Sequence, residues 1–507
     1  MIVSTRIKSN SYKDSVALMR IAEKLLSDPA ILRATLVMGT PANKDILQEA
    51  GLLAAGAAAA APSDLIVVLE SREHTAIAAA WGLVNVLLSA AAPAAGAARR
   101  EIAARTIAMG RVRLDAANIA QISVPGPYAG AEALKAVKSG LNVFLFSDNV
   151  PLAQEREIKL LARRKGLIVM GPDCGTAIIG GVPLGFANVV RRGRIGLVGA
   201  SGTGLQEVSS QIHRMGEGVS HALGTGSRDV QAGIGGISMM MAFDLLAADE
   251  QTRVIGIVSK PPAPGVMRDI VAHAGKAGKP VVLLFLGGGT PALPQNVHTA
   301  ASLYGCASAC AALARGADIA ATPLAENAAA AAVSRAKHAP GANYLRGLFT
   351  GGTFCSEAQL LLQARGMHCW SNAPLDASRA LAVAGKSREH TLLDLGEAGY
   401  TAGKPHPMID PSTRIARIAQ EAADSQTAVL LLDVVLGYGA HADPAGALHG
   451  AITRAKSRRE LPVIAFVCGT EQDPQVRSLQ EARLAQAGCI VAASSTEAVQ
   501  LAAALIA

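Results

Sequence analysis

The chain has 507 residues, half of them hydrophobic and 17% charged, which leaves room for three or four compact units at roughly 150 residues each and excludes global disorder. Aromatic residues reach only 3%, so the apolar half is alanine and aliphatic; this suits helices on parallel sheets and lacks the stacking platforms of single-stranded nucleic-acid binders. The net charge of +8 comes from scattered lysines and arginines, an attraction for small anions rather than for nucleic acid.

Residues 1–70 predict a β-α-β-α-β order: strand MIVSTRI, helix SYKDSVALMRIAEKLL, strand ATLVMG, a helix opening at TPANKDILQEAG, and strand SDLIVVLE. The polar start is unlike a signal peptide. The stretch from Thr75 to Ala98 is uncharged and long enough to span a bilayer. Its alanines, with Asn85, Ser89, Pro93 and Gly96, insert weakly, so a helix of a water-soluble domain and no membrane partner are expected. A second alternating block follows as AQISVPG, AGAEALKAVKSG, NVFLFS, PLAQEREIKLLARRKG and LIVMG. Aliphatic strands between glycine-ended helices are what a doubly wound parallel sheet requires.

From Arg194 the pattern sharpens. The strand RIGLVGA meets SGTG and the helix LQEVSSQIHRMG, followed by RVIGIVS, VMRDIVAHAGKAG and PVVLLFLGGG. The Ala-rich stretch 311–342 reads as a linker, and beyond it the order recurs: RGLFTGGTFCSEAQLLL, AVLLLDVVLGYG, LPVIAFVCGTEQDP. Thr203 and Thr353 stand 150 positions apart, whereas Phe285 and Phe466 stand 181 apart. A duplicated lobe with insertions in its second copy accounts for this; two generic α/β units alike in composition are the alternative. The seven cysteines, at 174, 306, 310, 355, 369, 468 and 489, form no CxxC. That excludes a disulfide framework and zinc spacing, and a reducing, cytoplasmic location is expected.

Both copies place glycines and hydroxyls between a buried strand and a helix: Gly199-Ala200-Ser201-Gly202-Thr203-Gly204 and Thr350-Gly351-Gly352-Thr353. A helix N-terminus offers unpaired N–H groups and a partial positive charge, and glycine lets an oxyanion approach the backbone. Neither loop has Walker spacing or a full dinucleotide fingerprint, and a capped turn is the alternative for either alone. A third loop, Met170–Thr176, contains Asp173 and Cys174; no base lies near Cys174 in sequence, so it reads as a turn residue. Lys260 follows a strand end. Lys404, His406 and Asp410 share the proline-stiffened GKPHPMIDP, suited to holding a carboxylate or moving a proton. Asp433 ends the strand LLLDVV, and Glu471 and Asp473 follow the last strand; no spacing among them suggests a metal, and none is expected.

Taken in order, GPDCGT, IGLVGASGTGLQE, GTGSRD, VSKPPAP and KPVVLLFLGGG resemble the α-subunit of succinyl-CoA synthetase. MGTPANK, FSDNVP, GLFTGGT, GKPHPMIDP, LLLDVV and GTEQDPQ extend the resemblance, over nearly the whole chain, to the FdrA-type acyl-CoA synthetase-like family. The resemblance implies an α/β fold with a small N-terminal α/β unit (1–113), a Rossmann-like CoA-binding-type domain (114–192), and two tandem flavodoxin-like ligase lobes (193–310 and 343–507) joined by the linker. It implies that paired helix N-termini hold phosphate, through Ser201, Gly202, Thr203 and Gly204 on one side and Gly351, Gly352 and Thr353 on the other.

Two departures from the synthetases matter. Their GxTGxxG-like CoA loop corresponds to Gly39-Thr40-Pro41-Ala42-Asn43-Lys44, which lacks those glycines, so CoA is possible here but not required. Their phosphohistidine motif corresponds to Asn296-Val297-His298-Thr299-Ala300-Ala301, which keeps the histidine without its glycines; a surface histidine is the alternative. Family members take part in ureide (allantoin) breakdown within an oxamate carbamoyltransferase, which joins phosphate to a carbamoyl group and needs neither CoA nor phosphohistidine. The expectation is therefore a carbamoyl- or acyl-transferring subunit, oligomeric and working with other subunits, acting on phosphate and a small carboxylate or ureide. His298, His406 and Lys260 are its candidate catalytic residues, and Asp173, Cys174, Lys404, Asp410 and Asp433 its candidate substrate contacts. An ADP- or GDP-forming acyl-CoA synthetase subunit and a non-catalytic scaffold or sensor are the alternatives.

Overall fold

The computed structural model describes residues 2–13, 15–89, 104–289, 292–319, 328–381, 385–401 and 404–506. The last third of the uncharged Thr75–Ala98 stretch and the middle of the Ala-rich linker lie outside them. The earlier part of the stretch falls in the helix His74–Ser89, which buries Ile77, Trp81 and Val84 against the first sheet. No described helix is long and apolar enough to cross a membrane.

The N-terminal unit alternates as expected, but its sheet is antiparallel. Ile2–Lys8 and Ile31–Met38, with the helix Ser15–Leu26 between them, leave a one-strand gap that Leu65–Ser71 fills from the opposite direction. Period-two alternation in that central strand sends Leu65, Val67 and Leu69 to one core, and Ile66 and Val68 to another. Three short parallel strands follow, Ile119–Ile122, Asn142–Leu145 and Val169–Met170.

The first lobe is built on a seven-stranded sheet in the order Val297–Thr299, Val281–Phe285, Val254–Ser259, Arg192–Gly199, Val219–Gly224, Thr176–Ile179, Val182–Gly185. Its last two strands form an antiparallel hairpin paired with His221–Leu223. The sheet thus recruits residues from before the expected 192/193 division. The helix Leu303–Ala314 likewise runs across the expected start of the linker. The second lobe has six parallel strands in the order Trp370–Ser371, Thr391–Asp394, Tyr344–Phe349, Thr427–Val435, Val463–Cys468, Ile490–Ala492. Helices on both faces bury it, and so every residue of Thr427–Val435 is inside and the strand reads as a near-continuous apolar run.

The helices that follow the two glycine loops, Gly202–Arg214 and Gly352–Gln363, pack together in one core, with Leu205, Val208 and Ile212 in the same cluster as Phe354, Cys355, Ala358 and Phe466. A buried carboxylate from each helix reaches across. Glu357 Oε1 accepts the N–H of Leu303 (2.7 Å), and its Oε2 accepts the Ser495 hydroxyl (2.6 Å). Glu207 Oε1 accepts the Ser495 N–H at 3.2 Å. Glu207 thus reaches the N-terminus of the second lobe's closing helix, Ser495–Ile506, and Glu357 that of the first lobe's, Leu303–Ala314.

Burial pushes Glu357 up to about 7, and the neighbouring Glu207 carboxylate adds to the rise. A carboxyl whose pKa is raised by folding stabilises the native state while protonated and loses that contribution as pH rises through the folded value. Stability is therefore expected to fall between pH ~4.5 and ~7, by an amount of order 3 kcal/mol from this group at ~1.4 kcal/mol per unit. Glu357→Gln should flatten that slope in thermal melts recorded against pH.

Candidate active site

Both glycine loops sit where their sheets switch direction. The strand Arg192–Gly199 has Val219–Gly224 on one side and Val254–Ser259 on the other, and Tyr344–Phe349 likewise separates Thr391–Asp394 from Thr427–Val435. In open α/β sheets that is where a ligand crevice forms. The two crevices are one. Ser201 Oγ and Thr353 Oγ1 are 2.6 Å apart, and a Cβ on Gly351 would lie 2.6 Å from Thr203 Cγ2. The expected meeting of the twin loops is what the fold produces.

Ser201 caps its helix by accepting the Gly204 N–H at 3.1 Å. The N–H groups of Gly202 and Thr203, and of Gly352 and Thr353, fall in first turns, which have no intrahelical acceptors. Two positive helix ends therefore face one space, a cavity of about 840 Å³.

Ser201, Gly202, Thr203, Gly351, Gly352, Thr353, Lys260, Asp173, Cys174, Lys404 and His406 all line it. The N-terminal unit contributes Tyr12, Lys13, Thr40 and Asn43 as a further wall, and the Tyr12 hydroxyl is tied to Ser123 O at 3.0 Å.

Four expected residues take other places. Gly204 lies inside the first turn, where a Cβ would press on Val258 at 2.9 Å, so it is a packing glycine. Asp410 holds the start of the next helix by accepting the Ser412 N–H and hydroxyl, both at 2.9 Å. Asp433 stands behind the second loop: its carboxylate accepts the Thr350 N–H (2.9 Å) and hydroxyl (2.7 Å) and pairs with Arg414 at 3.0 Å. His298 is on the outermost strand of the first sheet, opposite Val282. Lys260 follows Ser259, which faces Phe285, so the histidine sits three residues short of the loop end, roughly 10 Å at 3.3 Å per residue, and does not line the cavity.

The chemistry of the remaining groups is set by their surroundings. Burial drives the His406 imidazole down to about 4. Its Nδ1 accepts the Met408 N–H at 3.2 Å, which places the neutral ring's proton on Nε2. Nε2 lies 2.6 Å from where a Cβ on Gly396 would be. His406 is therefore a hydrogen-bond donor at neutral pH and not a base. Burial raises the Cys174 thiol to about 12, which removes it as a nucleophile. Burial also raises Asp173, and the Ser227 hydroxyl donates to it at 2.6 Å. Glu471 and Asp473 do not converge on an ion: Glu471 pairs with Arg477, and Asp473 accepts the Val189 N–H (2.7 Å) and the Thr470 N–H (2.8 Å). Among the described residues no group of three or more His, Cys, Asp or Glu is placed to hold a metal.

Sequence reasoning missed Asp394. It ends a buried strand adjacent to the second loop, lines the cavity, and is raised by burial to about 6. The signal was present in TLLDLG, the same strand-ending aspartate that drew notice in LLLDVV.

Three family models match: one described as CoA-ligase over residues 348–505, one as CoA binding domain over 190–287, and one as AllF, heavy metal-associated domain over 1–104. The CoA-binding match falls on the first lobe rather than on 114–192, where the resemblance had suggested it. The chain is 40% identical over 502 residues to the uncharacterized protein YahF of Escherichia coli K12, covering 98% of this chain and 97% of that one. It is 26% identical over 191 residues to the α-subunit of the ADP-forming succinate–CoA ligase of Methanothermobacter thermautotrophicus, covering 37% of this chain and 64% of the subunit. Among solved structures, the dinucleotide-forming acetyl-coenzyme A synthetase 1 of Ca. Korarchaeum cryptofilum aligns over 76% of this chain and 82% of its own at 14% identity, with a TM-score of 0.32.

Fold and site define a succinyl-CoA synthetase-like protein of the CoA-ligase class. Within that class the chain belongs to the FdrA-type acyl-CoA synthetase-like family.

Those family names imply a heavy metal and CoA. The N-terminal unit has no cysteine and one histidine, His74, so its donors do not fit a heavy-metal site. The parallel sheet of Ile119–Ile122, Asn142–Leu145 and Val169–Met170 has no GxTGxxG-like loop. At Gly126, where its first helix starts, the Asp148 and Asn149 carbonyls already occupy the space beside the glycine, at 2.5 and 2.8 Å from a Cβ position. The CoA phosphates have no open cradle there.

Proposed function

We propose that the protein transfers a carbamoyl or acyl group to phosphate, in the manner of an oxamate carbamoyltransferase of ureide breakdown, as one subunit of an oligomeric complex. The observation that carries this reading is the 2.6 Å contact between Ser201 and Thr353, which brings two helix N-termini to one point. A tetrahedral anion bound there receives backbone N–H groups from both lobes. Lys260 and the His406 Nε2–H supply donors for charge that develops on a carbonyl oxygen, in a site that the N-terminal unit walls on one side. The AllF name of the N-terminal match agrees with a ureide substrate. The distance of His298 from the cavity favours direct transfer over a phosphohistidine relay.

The test mixes this chain and its companion subunits with oxalurate and inorganic phosphate. Carbamoyl phosphate and oxamate are the expected products. Acyl-CoA together with a phosphate label on His298 would establish the synthetase alternative instead. Binding of phosphate without turnover in any combination of subunits would leave a sensor.

A further inference from the structure

Asp394 is held with unusual care for a residue at a strand end. Its N–H donates to Asn372 Oδ1 (3.0 Å) and its C=O accepts from Asn372 Nδ2 (2.9 Å), while Oδ1 accepts the Gly396 N–H at 2.9 Å. Oδ2 has no hydrogen-bond partner among the described residues. It lies directly over Gly352, the first residue of the second loop's helix, where an added Cβ would strike it, and Lys260 Nζ is 3.5 Å from the same point. A carboxylate oxygen with free lone pairs thus stands where two helix ends draw in an anion. A bare phosphate oxygen would be repelled there, whereas a P–OH group would donate to it.

We propose that Asp394 carries the proton in the transfer reaction; this rests on the phosphate-dependent carbamoyl transfer argued above. Oδ2 takes the proton of hydrogen phosphate as that oxygen attacks the carbamoyl carbon. The new C–O bond forms and the carbonyl π electrons move to oxygen, facing Lys260 and His406 Nε2–H. On collapse the C–N bond breaks, and Asp394 returns the proton to the departing amide nitrogen. Hydrogen phosphate and an N-carbamoyl amide become carbamoyl phosphate and the free amide, with no oxidant or second reactant.

Asp394 is suited to this by its place over the loop, where its Oδ2 meets the first residue of the second helix. His406 Nδ1 is occupied by the Met408 N–H, Asp173 is tied through Oδ2 to Ser227, and Asp433 stands behind the loop on Thr350 and Arg414. The burial that raises Asp394 to about 6 also brings it near the pH at which a carboxylate both accepts and returns a proton efficiently.

Asp394→Asn keeps the shape and the Gly396 contact. In the assembled complex it should lower kcat by about 10²–10⁴-fold with the KM for phosphate changed only a few-fold, and remove the acidic limb near pH 6 from the kcat profile. Formate added to Asp394→Ala should restore part of the rate. A purely structural role would change KM or stability and leave the limb in place. Wild-type turnover to carbamoyl phosphate, with Asp394→Asn retaining both kcat and the acidic limb, overturns the proton-carrier role alone. Absence of carbamoyl phosphate from the wild-type complex overturns the transfer reaction, and this role with it.

Discussion

Gly351→Ala is expected to cut phosphate-dependent turnover by about 100-fold or more, the scale of loss that a 1 Å misplacement causes. The added methyl would sit 2.6 Å from Thr203 Cγ2, 2.7 Å from its Oγ1 and 2.9 Å from its Cβ. The clash therefore falls on the contact between the loops. Backbone strain contributes nothing, because Gly351 has φ −122° and ψ 121°, extended values open to any residue. Relief requires Thr203 to turn away or the two helix ends to separate, and either change spoils a shared anion site while leaving both sheets intact. Phosphate titration by calorimetry should show the weakened binding, and a melting temperature within a few degrees of wild type would confirm that the fold survives. Gly289→Ala, where nothing lies within 4 Å, is the matched control. Unchanged phosphate affinity in Gly351→Ala would mean that the two loops do not bind the same anion.

The two loops were foreseeable because local sequence encodes the pattern twice, but their contact was not. A hydroxyl and glycines between an aliphatic strand and a helix specify a strand–turn–helix, and two occurrences specify two similar helix ends. Whether those ends converge depends on how the lobes pack, which is decided by Leu205, Val208, Phe354 and Phe466 in a common core. Those residues look like any other helix and strand interior in the sequence.

The environment of individual groups was less legible still. His406 looks like a general base until burial and the Met408 N–H fix it as a neutral donor. Asp433 looks like a cavity carboxylate until its neighbour Arg414 and the Thr350 main chain claim it. The glutamates 207 and 357 drew no notice because mid-helix glutamates are usually solvated, whereas here each reaches a helix of the other lobe. The N-terminal sheet shows a further limit. Alternation of strands and helices was read correctly, but strand direction follows from which gap the last strand fills, and residue pattern alone does not record that.

Asp433→Ala should be the most destabilising single change near the site. The carboxylate is fully buried, accepts two hydrogen bonds from Thr350, and is the ion-pair partner of the buried Arg414 guanidinium. Arg414 otherwise donates to Leu348 O at 3.1 Å, and its Nε has no hydrogen-bond partner among the described residues. Removing one member of such a pair leaves an uncompensated charge in a dry site, at a cost of about 3–5 kcal/mol. At ~2–4 °C per kcal/mol for a lobe of this size, the melting temperature should fall by roughly 10 °C. The Thr350 N–H and hydroxyl lose their acceptor together, so the loop that presents Gly351 and Gly352 loosens and phosphate affinity should fall with stability. The double variant Asp433→Ala/Arg414→Met separates the two effects. Taking out the stranded cation should recover much of the melting temperature, but the Thr350 loop still lacks its anchor, so phosphate binding should stay weak. Equal recovery of both would show that Asp433 serves only to neutralise Arg414, and a loss below about 1 kcal/mol in the single variant would show that the pair is not the keystone of this loop.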